Sequence, residues 1–140
     1  MHVRLIAVGK LREPYLVAAA DDFRRRLRSY HRLEEVEVRG DPGVLRLLEP
    51  GDHVWLLERG GRELSSEEFA ARLERLAVEG VSRITFVVAG AFGASDALLA
   101  RADVQWSLSR LTFLHEWARV LVLEQLYRAA KIAANEPYHH

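Results

Sequence analysis

Ile84-Thr85-Phe86-Val87-Val88-Ala89-Gly90-Ala91-Phe92-Gly93 is an apolar run, rich in β-branched residues, that ends in a glycine turn. Its first six residues do not alternate polar and apolar, as a strand with one wet face would, so the run predicts a strand covered on both sides. A sheet buried on both faces needs helices above and below it, and parallel neighbours need helical crossovers. This stretch therefore predicts an α/β fold, with strands and helices taking turns along the rest of the chain.

The flanking sequence follows that pattern. Residues 3–8 (VRLIAV), closed by Gly9, predict a first strand. Leu16, Ala20, Phe23, Leu27 and Tyr30 recur at helical spacing and predict an amphipathic helix over 14–31, with Pro14 in its first turn, where a missing N–H is harmless. Strands are expected over 33–38, 53–57 and 104–108. Asp41-Pro42-Gly43 reads as a turn before a short helix over 44–48, and Gly60-Gly61 reads as the end of the third strand. Ser65 and Glu68 form a capping box, and Phe69, Leu73 and Leu76 continue that helix to Gly80. Ser95 caps a short helix, and a long one spans 116–134. The expectation is one domain over 1–140, with a mostly parallel sheet and helices on both faces. Such sheets hold ligands at the carboxyl ends of their strands, which directs attention to the loops after Leu57, Ala89 and Leu108.

Composition narrows the classes. The chain has 140 residues, of which 49% are hydrophobic, enough for a core and against disorder. There is no cysteine, which excludes disulfides, thiol nucleophiles and cysteine-held zinc. No metal and no membrane partner are expected. The first nine residues lack a basic leader and a cleavage site, so a cytoplasmic location is expected. The formal net charge is zero, which argues against a general nucleic-acid coat but not against an enzyme with one local basic face. Of 20 basic residues only Lys10 and Lys131 are lysine; the remaining 18 (20 − 2) are arginine, a residue suited to carboxylate and phosphate.

Two segments point to a site. Gly90 and Gly93 follow a strand and precede a helix, where glycine lets backbone approach a ligand, although a turn that merely needs glycine has the same appearance. Residues 106–115 (WSLSRLTFLH) mix polar and apolar residues without a strong turn former, then enter the last helix directly. Such a segment can present backbone donors and acceptors to a purine edge and apolar side chains to its faces; an ordinary strand-to-helix loop is the plain alternative.

Ser107-Leu108-Ser109, then Leu111-Thr112-Phe113 and His115, resemble the S-(L/F)-S-x-(L/M)-T-(F/L)-P-H motif of the RlmH family. Residues 119–129 (RVLVLEQLYRA) resemble that family's R-(V/L)-x-(L/V)-x-E-Q-x-Y-R-A helix, residues 136–139 (EPYH) its ending, and residues 5–10 (LIAVGK) its start. The resemblance spans the chain. It departs at Ala89, where the family usually has glycine, and at Leu114, where it usually has proline.

The resemblance implies a SPOUT methyltransferase fold with a C-terminal trefoil knot, a homodimer and S-adenosylmethionine as cofactor. It also implies methylation of N3 of a pseudouridine in 23S ribosomal RNA, within the large subunit or the ribosome. Carried over position by position, cofactor contacts fall on Leu57, Ala89, Leu108, Ser109, Arg110, Leu111, Thr112 and Phe113; the glycine turn adds Gly90 and Gly93. Methyl transfer needs alignment and removal of the N3 proton. His139, Tyr138 and His115 are the expected proton-handling groups, with Arg119 stabilising the developing anion. A helix face carrying Arg24, Arg25, Arg28 and Arg32 is a candidate RNA surface, or simply a solvated face. The competing readings are a non-catalytic ribosome-binding or assembly protein of the same fold and a small nucleotide-binding module with another substrate.

Overall fold

Neighbouring side chains of a strand point to opposite faces, and here both faces are apolar. In the computed structural model, which describes residues 1–139, β1 (His2–Val8) buries Val3, Leu5 and Ala7 in one core and Ile6 in a second. β3 (His53–Glu63) divides Trp55 from Val54 and Leu56, and β4 (Arg83–Val88) divides Ile84, Phe86 and Val88 from Val87. With β2 (Arg32–Val38) and β5 (Val104–Ser107) they form a five-stranded, wholly parallel sheet in the order β2-β1-β4-β3-β5.

The helices sort onto the two faces as the expectation requires. α1 (Pro14–Leu27), α3 (Ser66–Val78) and α5 (His115–Ala133) fill the larger core with Leu16, Phe69, Leu73, Val120, Leu123 and Leu126. α2 (Asp41–Leu47) and α4 (Asp96–Arg101) close the smaller core with Val44 and Leu98. α1 and α3 carry the chain toward the β2 edge; α2 and α4, on the opposite face, carry it toward the β5 edge. Reversing direction and face together gives every crossover the same hand, as parallel crossovers demand. α5 then returns from the β5 edge to pack on both α1 and α3.

Four expectations change. Gly60-Gly61 does not end the third strand. β3 runs on to Glu63 through a bulge, so that both Leu57 and Arg62 face Trp106 of β5. Gly61 is required there: a Cβ would lie 2.5 Å from the Gln105 carbonyl oxygen. Asp41-Pro42-Gly43 is the first turn of α2 rather than a separate turn, because proline is tolerated where helix N–H groups have no partner anyway. α1 stops at Leu27, and Arg32 belongs to β2. The four-arginine face therefore does not form: Arg24 is paired with Glu35 and Asp21, and Arg25 lies 3.5 Å from Asp22.

At the amino ends of the strands, Asp52 receives Arg4 at 3.0 Å and Arg83 at 2.5 Å, while Arg4 Nε also donates to Thr85 Oγ1. Burial pushes the Asp52 carboxyl up, but the Glu49 N–H and the two guanidinia outweigh it and hold it below its ordinary value. A depressed carboxylate contributes stability above its unfolded pKa of about 3.9 and loses it as pH falls through the lower folded value. Asp52→Asn is expected to cost about 3–5 kcal/mol, by leaving the Arg4 charge buried without its partner, and to flatten the acid limb of the stability profile. Gly61→Ala is expected to cost about 1–3 kcal/mol through the clash with Gln105, with the loss read as a lower urea midpoint.

Candidate active site

Three segments distant in sequence meet where the bulge of β3 begins after Leu57 and where β4 and β5 end. They enclose a cavity of about 360 Å³, within the range of roughly 300–1,000 Å³ usual for small-molecule sites. β3 supplies Leu57, Glu58 and Arg59; the turn after β4 supplies Val88, Ala89, Gly90, Ala91 and Gly93. The β5 end and the segment beyond it supply Trp106, Leu108, Ser109, Leu111, Thr112 and Phe113, and α5 adds His115 and Ala118. The expected contacts Leu57, Ala89, Gly90, Gly93, Leu108, Ser109, Leu111, Thr112 and Phe113 thus share one wall system. Arg110 is exposed and lies outside the lining.

Backbone geometry shapes the walls. A Cβ on Gly90 would meet Val8 Cγ1 at 3.1 Å, so glycine lets the turn settle against the end of β1. Gly93 has φ +83°, a left-handed conformation that glycine adopts without penalty. Ala89 is not among the residues with positive φ, so its methyl group introduces no backbone strain. Leu114, the cap of α5, has φ −57°, close to the value proline would impose. Beyond β5, Ser107 Oγ donates to the Ser109 carbonyl at 3.0 Å, and Ser109 Oγ accepts from the Leu111 N–H at 3.0 Å. Arg59 Nη1 donates to Thr112 Oγ1 at 2.7 Å and ties β3 to this segment.

His115 opens α5 beside the loop after β1: a Cβ on Gly9, whose φ is +99°, would lie 3.5 Å from His115 Nε2. That loop is held from two sides. Glu116 Oε1 accepts the N–H groups of Arg12 and Glu13, which hold its carboxyl below the usual range. Glu37 accepts Arg119 at 2.6 Å and the Leu11 N–H at 3.2 Å, and the Arg119 guanidinium is the main cause of its lowered pKa. Arg119 is buried, lies 3.6 Å from Glu35 as well, and does not reach the cavity wall.

Tyr138 and His139 sit elsewhere in the protomer. α5 ends in a Schellman turn, with Asn135 at φ 54°, the Glu136 N–H on Lys131 O and the Asn135 N–H on Ile132 O. The chain folds back, Tyr138 packs edge-on against Tyr127 and its hydroxyl donates to Glu124 Oε1 at 3.1 Å. Burial, then the Glu124 charge, pushes the Tyr138 pKa up and keeps the phenol protonated. His139 contacts Arg128 Nη1 through Nδ1 at 2.9 Å and Glu67 through Nε2 at 2.5 Å. Since guanidinium only donates, Nδ1 accepts and Nε2 carries the proton. Arg128 lies 13 residues beyond His115, about 20 Å along the helix axis, so this clasp and the cavity occupy opposite ends of α5.

Glu58, Arg59 and Ala118 are wall residues that the sequence reading missed. The first two follow a strand thought to end at Leu57. Ala118 is one turn beyond His115, and that i, i+3 spacing is the signal that points to it.

A family profile described as "Predicted SPOUT methyltransferase" matches residues 1–139. Among proteins named "Ribosomal RNA large subunit methyltransferase H", the one from Gloeobacter violaceus is 43% identical, over 100% of this chain and 99% of that one. The one from Desulfitobacterium hafniense is 37% identical, with 99% of each covered, and the one from Enterococcus faecalis is 35% identical at the same coverage. A structure titled as a probable methylase family protein from Haemophilus influenzae Rd KW20 superposes with a TM-score of 0.57 at 12% identity. The match covers 95% of this chain and 66% of that one, and it supports the fold alone. Full-length profile agreement and relatives of this similarity identify the chain as a member of the SPOUT methyltransferase family.

Proposed function

We propose that the protein binds S-adenosylmethionine in the cavity between the β3, β4 and β5 loops and methylates N3 of a pseudouridine in 23S ribosomal RNA. The observation that carries this reading is an open cavity where three separate segments converge, unfilled by the protein's own side chains. Its walls suit the cofactor. Leu57, Leu108, Leu111 and Phe113 offer apolar contact to a purine, the glycine turn admits close backbone approach, and Glu58 with Arg59 offers opposite charges to a zwitterionic amino-acid tail. The names of the full-length relatives support large-subunit ribosomal RNA as the substrate. An open cavity disfavours the non-catalytic assembly protein. The trefoil threading belongs to the same proposal, supported by the return of α5 across the sheet face from the β5 edge.

When bound, the cofactor supplies an electrophilic methyl group; the protein's tasks are alignment, exclusion of water and removal of the N3 proton. His115 is the histidine at the cavity and the acceptor this geometry favours. The acceptor role expected for His139 would first require release of its Nδ1 from Arg128. Arg119 acts at one remove, holding Glu37 and through it the loop beside His115. Tyr138 and His139 take part if a second copy sets its tail at this cavity. A homodimer is supported by the exposed apolar side chains of Tyr15, Phe92, Leu111, Leu114 and Trp117, which lie in or beside the cavity segments.

Calorimetry is expected to detect S-adenosylmethionine binding, and Ala118→Phe, which fills the cavity, is expected to weaken it at least roughly tenfold, about 1.4 kcal/mol. Ribosomal RNA from a deletion strain is expected to lack one methyl mark by mass spectrometry; an unchanged mass would remove the substrate assignment. If the site is shared between two copies, Ala118→Phe and Tyr138→Ala/His139→Ala are each expected to lose most activity as homodimers. Reassorted one to one, they are expected to regain roughly a quarter of wild-type turnover, because about half the dimers then hold one intact site. Absence of any recovery would leave the reaction to the residues of a single protomer.

A further inference from the structure

Among the described residues, eight of the 18 arginines are neutralised in place. Arg4, Arg24, Arg25, Arg26, Arg83, Arg101, Arg119 and Arg128 all pair with carboxylates. A different arrangement holds beside the end of β3. Arg62 from that strand and Arg72 and Arg75 from α3 line one groove of about 460 Å³, and among the described residues none of the three has an ion-pair partner. Glu68 and Glu79 also line it, leaving three cations against two anions. Glu68 is turned into the capping box, where Oε1 accepts the Ser65 N–H at 2.9 Å. Arg72 lies over the Trp55 ring at 5.5 Å, which orients its planar head. Arg72 and Arg75, three residues apart, are neighbours on the helix surface.

The groove leads somewhere. It shares Leu64 with a cleft lined by Ser66 and Gln125, and that cleft shares Trp106, Leu108 and Phe113 with the cavity. We propose that Arg62, Arg72 and Arg75 form a docking groove for the phosphate backbone of the RNA substrate, leading a strand past the cleft to the cavity. The proposal rests on the ribosomal RNA reading above. Charge complementarity selects the occupant: unpaired guanidinium forks match phosphate oxygens in bidentate geometry, and such contacts position RNA without reading its sequence.

The test compares wild type with Arg62→Gln/Arg75→Gln, both exposed positions, leaving Arg72 on Trp55. Binding to deproteinised 23S ribosomal RNA and to large subunits is measured between about 50 and 200 mM salt. The double variant is expected to bind roughly tenfold more weakly at the lower salt, with a log–log salt slope shallower by about 1.5, since each lost phosphate contact removes about 0.7–0.9. Its S-adenosylmethionine affinity should equal that of wild type, and Arg62→Lys/Arg75→Lys should restore most of the slope. An unchanged slope in a variant of a wild type that binds and methylates RNA overturns the groove alone. Loss of binding to subunits but not to free RNA means the groove meets ribosomal protein, and also overturns it. A wild type that binds neither RNA nor subunits brings down the substrate reading together with the groove.

Discussion

Four rings, Trp55, Phe69, Phe86 and Trp106, hold β3, α3, β4 and β5 to one another. Phe69 stacks on Trp106 with centroids 4.4 Å apart, and Trp55 meets Phe69 and Trp106 edge-on at 5.6 Å and Phe86 at 5.8 Å. Each such pair adds about 0.5–1.5 kcal/mol beyond the burial of its surface. β5 is only four residues long, so this cluster and the pairing with β3 keep it at the edge of the sheet. The arrangement accepts a cost, because Trp55 Nε1 is buried without a partner. Trp106 also lines the cavity, so the site takes its shape from the core and not from loops alone.

Much of this architecture is legible in the residues. The apolar runs of β1, β3 and β4 declare strands covered on both sides, and Ser65 with Glu68 declares the start of α3; both capping bonds are present. The departures have local causes. Gly60-Gly61 carries the composition of a break, yet Gly61 is there because β3 passes too close to Gln105 for any side chain. A proline two residues before a hydrophobic run suits a turn and a first helical turn equally, so Pro42 did not distinguish them. The order β2-β1-β4-β3-β5 is hidden because buried strands of similar composition carry no label for their neighbours.

The cavity was legible for a different reason: in a parallel sheet the carboxyl ends of the strands are where loops converge, whatever the loops contain. Its charged rim was not, since Glu58 and Arg59 lie on the bulged continuation of β3. Nor was the fate of Arg119. An arginine four residues into an apolar helix suggests a ligand from its charge alone, and only the fold reveals Glu37 and Glu35 on the neighbouring strand. Tyr138 and His139 illustrate the same limit. A Schellman turn at Asn135 sends them back along α5 to Glu124, Arg128 and Glu67, a path that residue spacing does not encode.

The outermost strand has a bearing on how molecules meet. β2 offers one open rim of hydrogen-bonding backbone, and it carries Glu34, Glu35 and Glu37 among its seven residues. At the opposite rim stands the short β5. On β2, Glu35 and Glu37 are held by Arg24 of α1 and Arg119 of α5, so the strand is bordered by fixed, charged side chains. An edge strand bordered by charged side chains is a poor template for pairing with another sheet, so growth of the sheet from one molecule into the next is opposed at the β2 rim.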